Sequence, residues 1–234
     1  MIRRSRIKKE LIEILRQKDV NSIFAALQAY GERDFLNPLF PALCHQEEMV
    51  RWHAVSAFGW VVDRLAQTDF ESARVVMRRF LWSLNDESGG IGWGSPEAMA
   101  EIMARNEALF REYFHMLLSY TQEDGPERFQ DGNYLELPQL QRGVIWGIGR
   151  LAGRYREIFV QNGVVDNLLP YLYSSDGPVR GIAVWSLGLL KAQSAKEPMQ
   201  RLLDDREDVN LYRQGEIIET KVSELVHQAL DGMS

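Results

Sequence analysis

The strongest constraint on the fold is a template that occurs three times in the sequence: VRWHAVSAFGWV from Val50, LQRGVIWGIGRL from Leu140 and VRGIAVWSLGLL from Val179. Positions 1, 5, 9 and 12 are apolar or small in every copy, and position 10 is always glycine. In an α-helix the four apolar positions fall on one face. The second and third copies start 39 residues apart, a spacing typical of two-helix repeats that bury their apolar faces by stacking.

The pattern V-R-x-x-A-x-x-[AS]-[LF]-G resembles the second helix of HEAT repeats, especially the short HEAT-like repeats named after phycobilisome lyase subunits. The resemblance is strong at Val50–Gly59 and Val179–Gly188, fair at Leu140–Gly149 and weak at Val76–Asn85. It implies an all-α fold, an α-α superhelix of the HEAT or armadillo kind, over most of the chain. The segment around the glycine-rich loop is also similar to a group of uncharacterised bacterial HEAT-like proteins, a likeness that implies no particular activity.

Helical periodicity covers nearly the whole chain, and we predict a single HEAT-like repeat domain over residues 1–234. A glycine-rich loop at 85–95 and a polar loop at 122–137 interrupt it. At 209–220, β-branched and aromatic residues flank a turn that contains Gly215, which predicts a small β-hairpin. The predicted helices are 5–17, 20–30, 35–45, 49–65, 70–85, 96–104, 107–120, 138–156, 164–173, 178–192, 195–204 and 222–231.

The glycine-rich loop is the first candidate site. It holds four glycines between positions 89 and 94, and Ser95-Pro96-Glu97 follows with the pattern of an N-cap, a first-turn proline and a first-turn acid. A helix N-terminus can bind an anion. The alternative is that the loop is only a connector between helices. The candidate binding residues of this region are Asn85, Asp86, Trp93 and Ser95.

The second candidate site is the concave surface that the second helices of such a superhelix line. Positions 3, 7, 10 and 14 of the template lie opposite the apolar face. Each copy brings a tryptophan to that side beside small residues, and tryptophan with arginine is typical of an interface hot spot. Alternatively, these rings fill gaps where glycine lets neighbouring second helices approach closely. The candidate residues here are Trp52, Asp63, Arg142, Trp146 and Trp185.

The sequence gives little support to catalysis. No two of the four histidines have the i, i+4 spacing of a helical metal site, and no phosphate-binding or nucleophile motif is present. We expect no catalytic residue, no metal and no cofactor. The favoured function is a non-catalytic scaffold that binds a protein or peptide partner through its concave surface. The alternative is a ligand-handling or lyase-like protein that binds a small planar molecule or anion at the Gly/Trp loop and the Trp-lined groove.

Charge and hydropathy bound the partners. The net charge is −6, and residues outside the basic first 18 carry −11, which argues against general nucleic-acid binding. No apolar run approaches the roughly 18 residues that a membrane span needs, and the basic start lacks the apolar core of a secretory signal, so we expect a cytoplasmic protein. Cys44 is the only cysteine, and its apolar neighbours predict a buried side chain.

Overall fold

The computed structural model describes residues 2–85, 92–123, 125 and 133–233. These residues form twelve α-helices, two 3-10 helices and one two-stranded sheet, so the predicted fold class is confirmed. The 3-10 helices are Leu169–Tyr173 and Gln193–Ala195. The strands are β1 (Asp208–Arg213) and β2 (Glu216–Lys221). The helices are α1 (Ile2–Leu15), α2 (Val20–Leu27), α3 (Glu32–Ala42), α4 (Glu48–Thr68), α5 (Phe70–Leu84), α6 (Ser95–Arg105), α7 (Glu107–Ser119), α8 (Pro138–Gln161), α9 (Val164–Leu168), α10 (Gly177–Leu189), α11 (Lys196–Gln200) and α12 (Val222–Gly232).

The hairpin occurs where the sequence predicts it, between α11 and α12. Its turn residues Gln214 and Gly215 both have positive φ, 52° and 95°, as a tight turn between twisted antiparallel strands requires. Val209, Leu211 and Tyr212 of β1 are buried. The strand therefore contributes apolar side chains to the core instead of lying on the surface as an isolated ribbon.

Two helix predictions need correction. The predicted helix 164–173 divides into α9 and a 3-10 helix, because Pro170 has no amide hydrogen to continue an α-helical ladder. The predicted helix 195–204 is shorter, since α11 ends at Gln200 and turns follow it.

Cys44, expected to be buried, is exposed instead.

The start of α6 also differs from the prediction. Ser95 is not the N-cap: it is the first helical residue, and Gly94 precedes it with a φ of 73° and no side-chain cap. The positive φ of Gly94, which an L side chain adopts only with strain, turns the chain into the helix one residue earlier. Ser95 donates its amide hydrogen to the carbonyl of Gly92 at 3.0 Å and is 3% exposed.

The chain divides into two compact units, with the division inside α7. Unit 1 comprises Met1–Tyr113 and the hairpin turn Gln214–Glu216. Its core contains a ring cluster in which the centroid of Phe40 lies 4.9 Å from those of Phe58 and Phe80. Unit 2 comprises Phe114–Arg213 and Ile217–Ser234. That these units make up one domain remains a prediction.

A repeated hydrogen bond explains position 2 of the template. The side chain there donates to the carbonyl six residues earlier, in the loop before the helix. Arg51 donates to His45 at 2.9 Å, Gln141 to Leu135 at 2.9 Å and Arg180 to Ser174 at 2.7 Å. These carbonyls lie in loops outside helical ladders, so a long donor at position 2 satisfies groups that the helix itself does not reach. In each case the bond fixes the loop to the fourth residue of the helix.

Candidate functional site

The second helix of each helix pair carries the predicted surface residues. In unit 1 these second helices are α2, α4 and α6, and in unit 2 they are α8, α10 and α12. Contacts between successive second helices pass through the glycine at position 10. A Cβ on Gly59 would lie 2.7 Å from Cγ of Glu101 and 3.0 Å from Cδ of Arg105, both on α6. Glycine at this position therefore permits a close approach that a methyl group would prevent.

Four side chains of unit 1 form what we call the aromatic-arginine cluster: Phe24 on α2, Trp60 on α4, and Glu101 and Arg105 on α6. The rings of Phe24 and Trp60 are stacked, with centroids 5.8 Å apart and planes 6° apart. The guanidinium carbon of Arg105 lies 4.8 Å from the centroid of Phe24. Both rings are half-buried, so part of each remains accessible to a partner.

The geometry of Arg105 is that of a guanidinium held from one side. Its Nε donates to Oε1 of Glu101 at 3.0 Å, and Glu101 is only 5% exposed. The side chain of Arg105 is 30% exposed. Within the described part of the chain, the Nη atoms of Arg105 have no hydrogen-bond acceptor. A planar guanidinium with free Nη groups matches the two oxygens of a carboxylate or phosphate.

The cluster also has a rim of charged and amide groups. The guanidinium of Arg64 lies 4.9 Å from the ring of Trp60 and donates to Glu32. Asp63 accepts a hydrogen bond from Nδ2 of Asn106 at 3.0 Å. Each arginine is paired with an acid, but Arg64 donates through both Nε and Nη2 whereas Arg105, over the described residues, donates through Nε alone, so Arg105 has more hydrogen-bonding capacity left for a ligand.

The other candidate residues of unit 1 lie on α4, at the end of α5 and at the start of α6. Trp52 is half-buried on α4, the helix that also carries Asp63. Asn85 is the exposed C-cap of α5. Trp93 is 38% exposed and precedes Gly94, so with Ser95 it belongs to the start of α6. Asp86 lies outside the described residues.

In unit 2, Trp146 is buried. It is 2% exposed, its Nε1 donates to the carbonyl of Tyr212 on β1 at 2.9 Å, and its ring centroid is 6.3 Å from that of Tyr212. This ring therefore anchors the hairpin strand to α8 and presents no free surface. The prediction that Trp146 lines an open groove is wrong in this respect, because β1 covers the helix there.

The other two candidate residues of unit 2 are in helix contacts. Trp185 is half-buried on α10, and a Cβ on Gly149 would lie 2.4 Å from its Cζ3 atom. Arg142 donates through Nε to Asp176 at 3.0 Å, and Asp176 caps α10 by accepting from the amide of Val179. Burial acts to raise the pKa of Asp176, but these bonds and the arginine charge hold it below its usual value.

A buried carboxyl in unit 1 has chemistry that the sequence did not reveal. Oε2 of Glu97, in the first turn of α6, is inaccessible to solvent and has no hydrogen-bond partner within the described part of the chain. Burial raises the pKa of Glu97 to about 7, against the opposing effects of its own backbone amide and of Arg51. The group therefore titrates near neutral pH.

Histidine and acidic side chains do not assemble a metal centre in the described ranges, where no group of three or more potential ligands occurs. His53 is fully buried, with Nδ1 2.6 Å from the carbonyl oxygen of Leu15. This histidine supports the packing of α4 on α1. Over the same residues, no helix has the combination of length and apolar character needed to cross a bilayer.

The helix pairs, the contacts at the template glycines and the hairpin together define an all-α helical-repeat fold with a small sheet. Residues 138–190 match the family model described as HEAT-like repeat. An uncharacterized protein of Archaeoglobus fulgidus is 26% identical over 189 residues, covering 80% of this chain and 91% of that protein. This relative is archaeal, and the phycobilisome-lyase subtype and the likeness to a bacterial group remain predictions.

Solved structures that are similar in fold include two designed armadillo repeat proteins and an engineered protein. A designed armadillo repeat protein in complex with the peptide (KR)4 aligns at a TM-score of 0.52 and 15% identity, over 96% of this chain and 98% of that one. Another designed armadillo repeat protein has a TM-score of 0.50 at 15% identity, over 96% and 99%. The crystal structure of an engineered protein gives 0.54 at 15%, over 97% and 98%. At these identities the likeness concerns the fold alone.

Proposed function

We propose that this protein is a non-catalytic scaffold that binds a protein or peptide segment through the second-helix surface of unit 1. The observation that carries the proposal is the aromatic-arginine cluster, in which one arginine is oriented by a buried carboxylate and an adjacent ring. Such preorganisation lowers the side-chain entropy that binding would otherwise cost. Arginine beside half-buried aromatic rings is also the composition enriched at interface hot spots.

The chemistry of the cluster favours an acidic partner. The free Nη groups of Arg105 suit a carboxylate, while the rings of Phe24 and Trp60 suit an apolar or aromatic side chain next to it. The solved armadillo neighbour is in complex with a peptide of lysine and arginine. The charge of that peptide is opposite to the charge of the acidic partner proposed here. A shared fold is compatible with opposite preferences, because the groups on the surface and not the scaffold decide specificity.

The predicted binding residues of unit 1 fit the same surface to different degrees. Trp52 and Asp63 share α4 with Trp60 and remain part of the proposal. Asn85 at the end of α5 and Trp93 before α6 are not members of the cluster and remain predictions. In unit 2, Arg142 and Trp185 have structural partners, so we assign them a secondary role. The alternative of a small planar ligand or anion at the glycine-rich loop depends in part on residues 86–91, which lie outside the described ranges.

Binding of two labelled peptides tests the proposal. We expect (Glu-Phe)4 to bind more tightly than (Lys-Phe)4 by at least about tenfold in fluorescence anisotropy. Arg105→Lys keeps the charge but removes the fork, so it should weaken (Glu-Phe)4 binding by about tenfold. Trp60→Leu, which removes the stacking partner of Phe24, should have a similar effect.

Arg111 supplies a matched control. It forms the same i, i+4 pair with Glu107, but on the exposed side of α7, so Arg111→Lys should leave binding unchanged. Equal affinity for the two peptides, or equal loss in Arg105→Lys and Arg111→Lys, would contradict the proposal. Thermal melts of all variants separate lost binding from lost folding.

A further inference from the structure

A second site-like feature lies in unit 2, at a kink within α8. Tyr155 has φ −121° and ψ 30°, which are not helical values, so α8 changes direction there. Sharp kinks in helices have identifiable local causes. A cavity of about 570 Å³ opens at the kink, a volume in the range of small-molecule sites. Its lining residues are Gly153, Arg154, Tyr155, Arg156 and Ile158, together with Glu157, Ala152 and Leu189.

The cavity combines cations with an apolar floor. Arg154 and Arg156 are exposed at its edge, and the guanidinium carbon of Arg154 lies 5.2 Å from the ring of Tyr155. No ion-pair partner is recorded for Arg156 among the described residues. Ala152 is buried and Leu189 is half-buried. Glu157 is the acid among the lining residues, so the two arginines leave a net positive charge at the edge.

Gly153 keeps the cavity open. It does not have a positive φ, and a Cβ added to it would meet no atom within 4 Å. Helix geometry and packing therefore do not require a glycine here, in contrast to Gly149 one turn earlier. A larger side chain at position 153 would project into open space beside the arginines. Glycine is also used where a backbone must allow a ligand to approach closely.

We infer that this cavity binds a small organic anion, in which one phosphate, sulfonate or carboxylate group is attached to a planar or apolar body. The anionic group would pair with the guanidinium groups of Arg154 and Arg156. The body would lie over Gly153 against Tyr155, Ile158 and Leu189. This site involves none of the residues of the aromatic-arginine cluster, so it is independent of the proposed partner surface.

Titration with the fluorescent anion 8-anilinonaphthalene-1-sulfonate tests the inference, with the neutral N-phenyl-1-naphthylamine as the matched uncharged probe. We expect the sulfonate to bind at least about tenfold more tightly than the neutral probe. Gly153→Phe should fill the cavity and weaken sulfonate binding by at least about tenfold, whereas Gly153→Ala should leave it unchanged. Arg156→Glu should weaken it by a similar factor.

Controls keep each result interpretable. Arg201, an exposed arginine of the same unit, supplies the comparison Arg201→Glu, which should bind like the wild type. Should Gly153→Phe fail to fold by circular dichroism, Gly153→Ala and Arg156→Glu still decide the matter. Unchanged binding in Arg156→Glu, equal loss in Arg201→Glu, or equal affinity for the two probes would overturn the site.

Discussion

The glycine at position 10 of the template has different neighbours in unit 1 and in unit 2. At Gly59 in unit 1 the close neighbours are the charged pair Glu101 and Arg105, whereas at Gly149 in unit 2 they are Trp185 and Ser186. A hydrogen bond from Ser186 to the carbonyl of Ile145 at 2.9 Å further closes the second contact. The same close approach thus places a charged pair beside Gly59 in unit 1, and a half-buried ring with a buried serine beside Gly149 in unit 2.

This difference decides which of the two glycine contacts holds an accessible charged group. Buried charge is stable only when paired and hydrogen-bonded, so the buried Glu101 of unit 1 holds the more accessible Arg105 in a fixed position. Buried rings contribute area and a few directed bonds, so unit 2 gains a rigid support for its hairpin. The predictions below test the contrast between charged and aromatic packing.

We expect the largest loss of stability when a buried ring of unit 2 is removed. Trp146→Ala removes a buried ring and its hydrogen bond to Tyr212, so we expect a loss of about 3–5 kcal/mol in the free energy of unfolding. Urea denaturation measures it. Trp82, which is 83% exposed, is the control, and Trp82→Ala should change stability by less than about 0.5 kcal/mol. Equal small losses would show that Trp146 is not part of the core.

The buried carboxyl of Glu97 in unit 1 should make the free energy of unfolding depend on pH. The pKa of Glu97 is raised on folding from 4.5 to about 7, so the folded state binds this proton more tightly than the unfolded state does. The stabilisation linked to that proton is complete below about pH 4.5 and is lost as the pH rises through about 7. Glu97→Gln, which carries no charge, should therefore be more stable than wild type at pH 8, by up to about 3 kcal/mol.

Denaturation midpoints at pH 5 and pH 8 would measure this effect. The gain of Glu97→Gln should shrink towards pH 5, where the wild-type carboxyl is largely protonated. Glu107 is half-exposed in its ion pair with Arg111, and Glu107→Gln is the control that should show no comparable gain. A Glu97→Gln advantage independent of pH would mean that charge burial is not its cause.

Alanine at the two template glycines compares the contacts directly. A Cβ at Gly149 would lie 2.4 Å from Ser186 Oγ and from the ring of Trp185, and such overpacking costs about 1–3 kcal/mol. At Gly59 the nearest atoms belong to longer side chains that can shift, so the loss should be smaller, below about 1 kcal/mol. Thermal denaturation of Gly149→Ala and Gly59→Ala measures the difference. A larger loss at Gly59 would reverse the comparison.

The smallest effect is a stabilisation. Gly153→Ala adds a methyl group to a helical position with no neighbour within 4 Å, so it should raise the free energy of unfolding by up to about 1 kcal/mol. The sign is opposite to that expected for Gly149→Ala on the same helix. A melting temperature below that of the wild type would show that position 153 is constrained by packing.

The sequence predicts the fold well because its information is local and repeated. Apolar spacing of three and four residues locates the helices, and β-branched residues around Gly215 locate the hairpin. The errors occur where a single residue competes with the periodicity. Pro170 replaces the end of one predicted helix by a 3-10 turn, and Gly94 takes a left-handed conformation that starts α6 at Ser95.

The site was less predictable because its parts come from separate helices. Periodicity places Trp52, Trp146 and Trp185 on one side of their helices, but it does not reveal that β1 covers Trp146. The stacking of Phe24 on Trp60 joins residues far apart in sequence and has no local pattern. The spacing of Glu101 and Arg105, an acid four residues before a base, was the available signal, and it is common on exposed helices as well.

The bond from position 2 of the template limits where this chain can change in length. The last loop residues before α4, α8 and α10 are tied to the helix that follows, so an added residue there would pull the carbonyl away from its donor. Length variation among homologues should therefore accumulate upstream of His45, Leu135 and Ser174. In α6 the equivalent position is Ala98, which has no donor, and the glycine-rich segment before it is free of this restriction. Among the described residues, the junction before α6 therefore lacks the bond that restricts insertions before α4, α8 and α10, and it is a place where evolution, or an engineer, can insert sequence at lower cost.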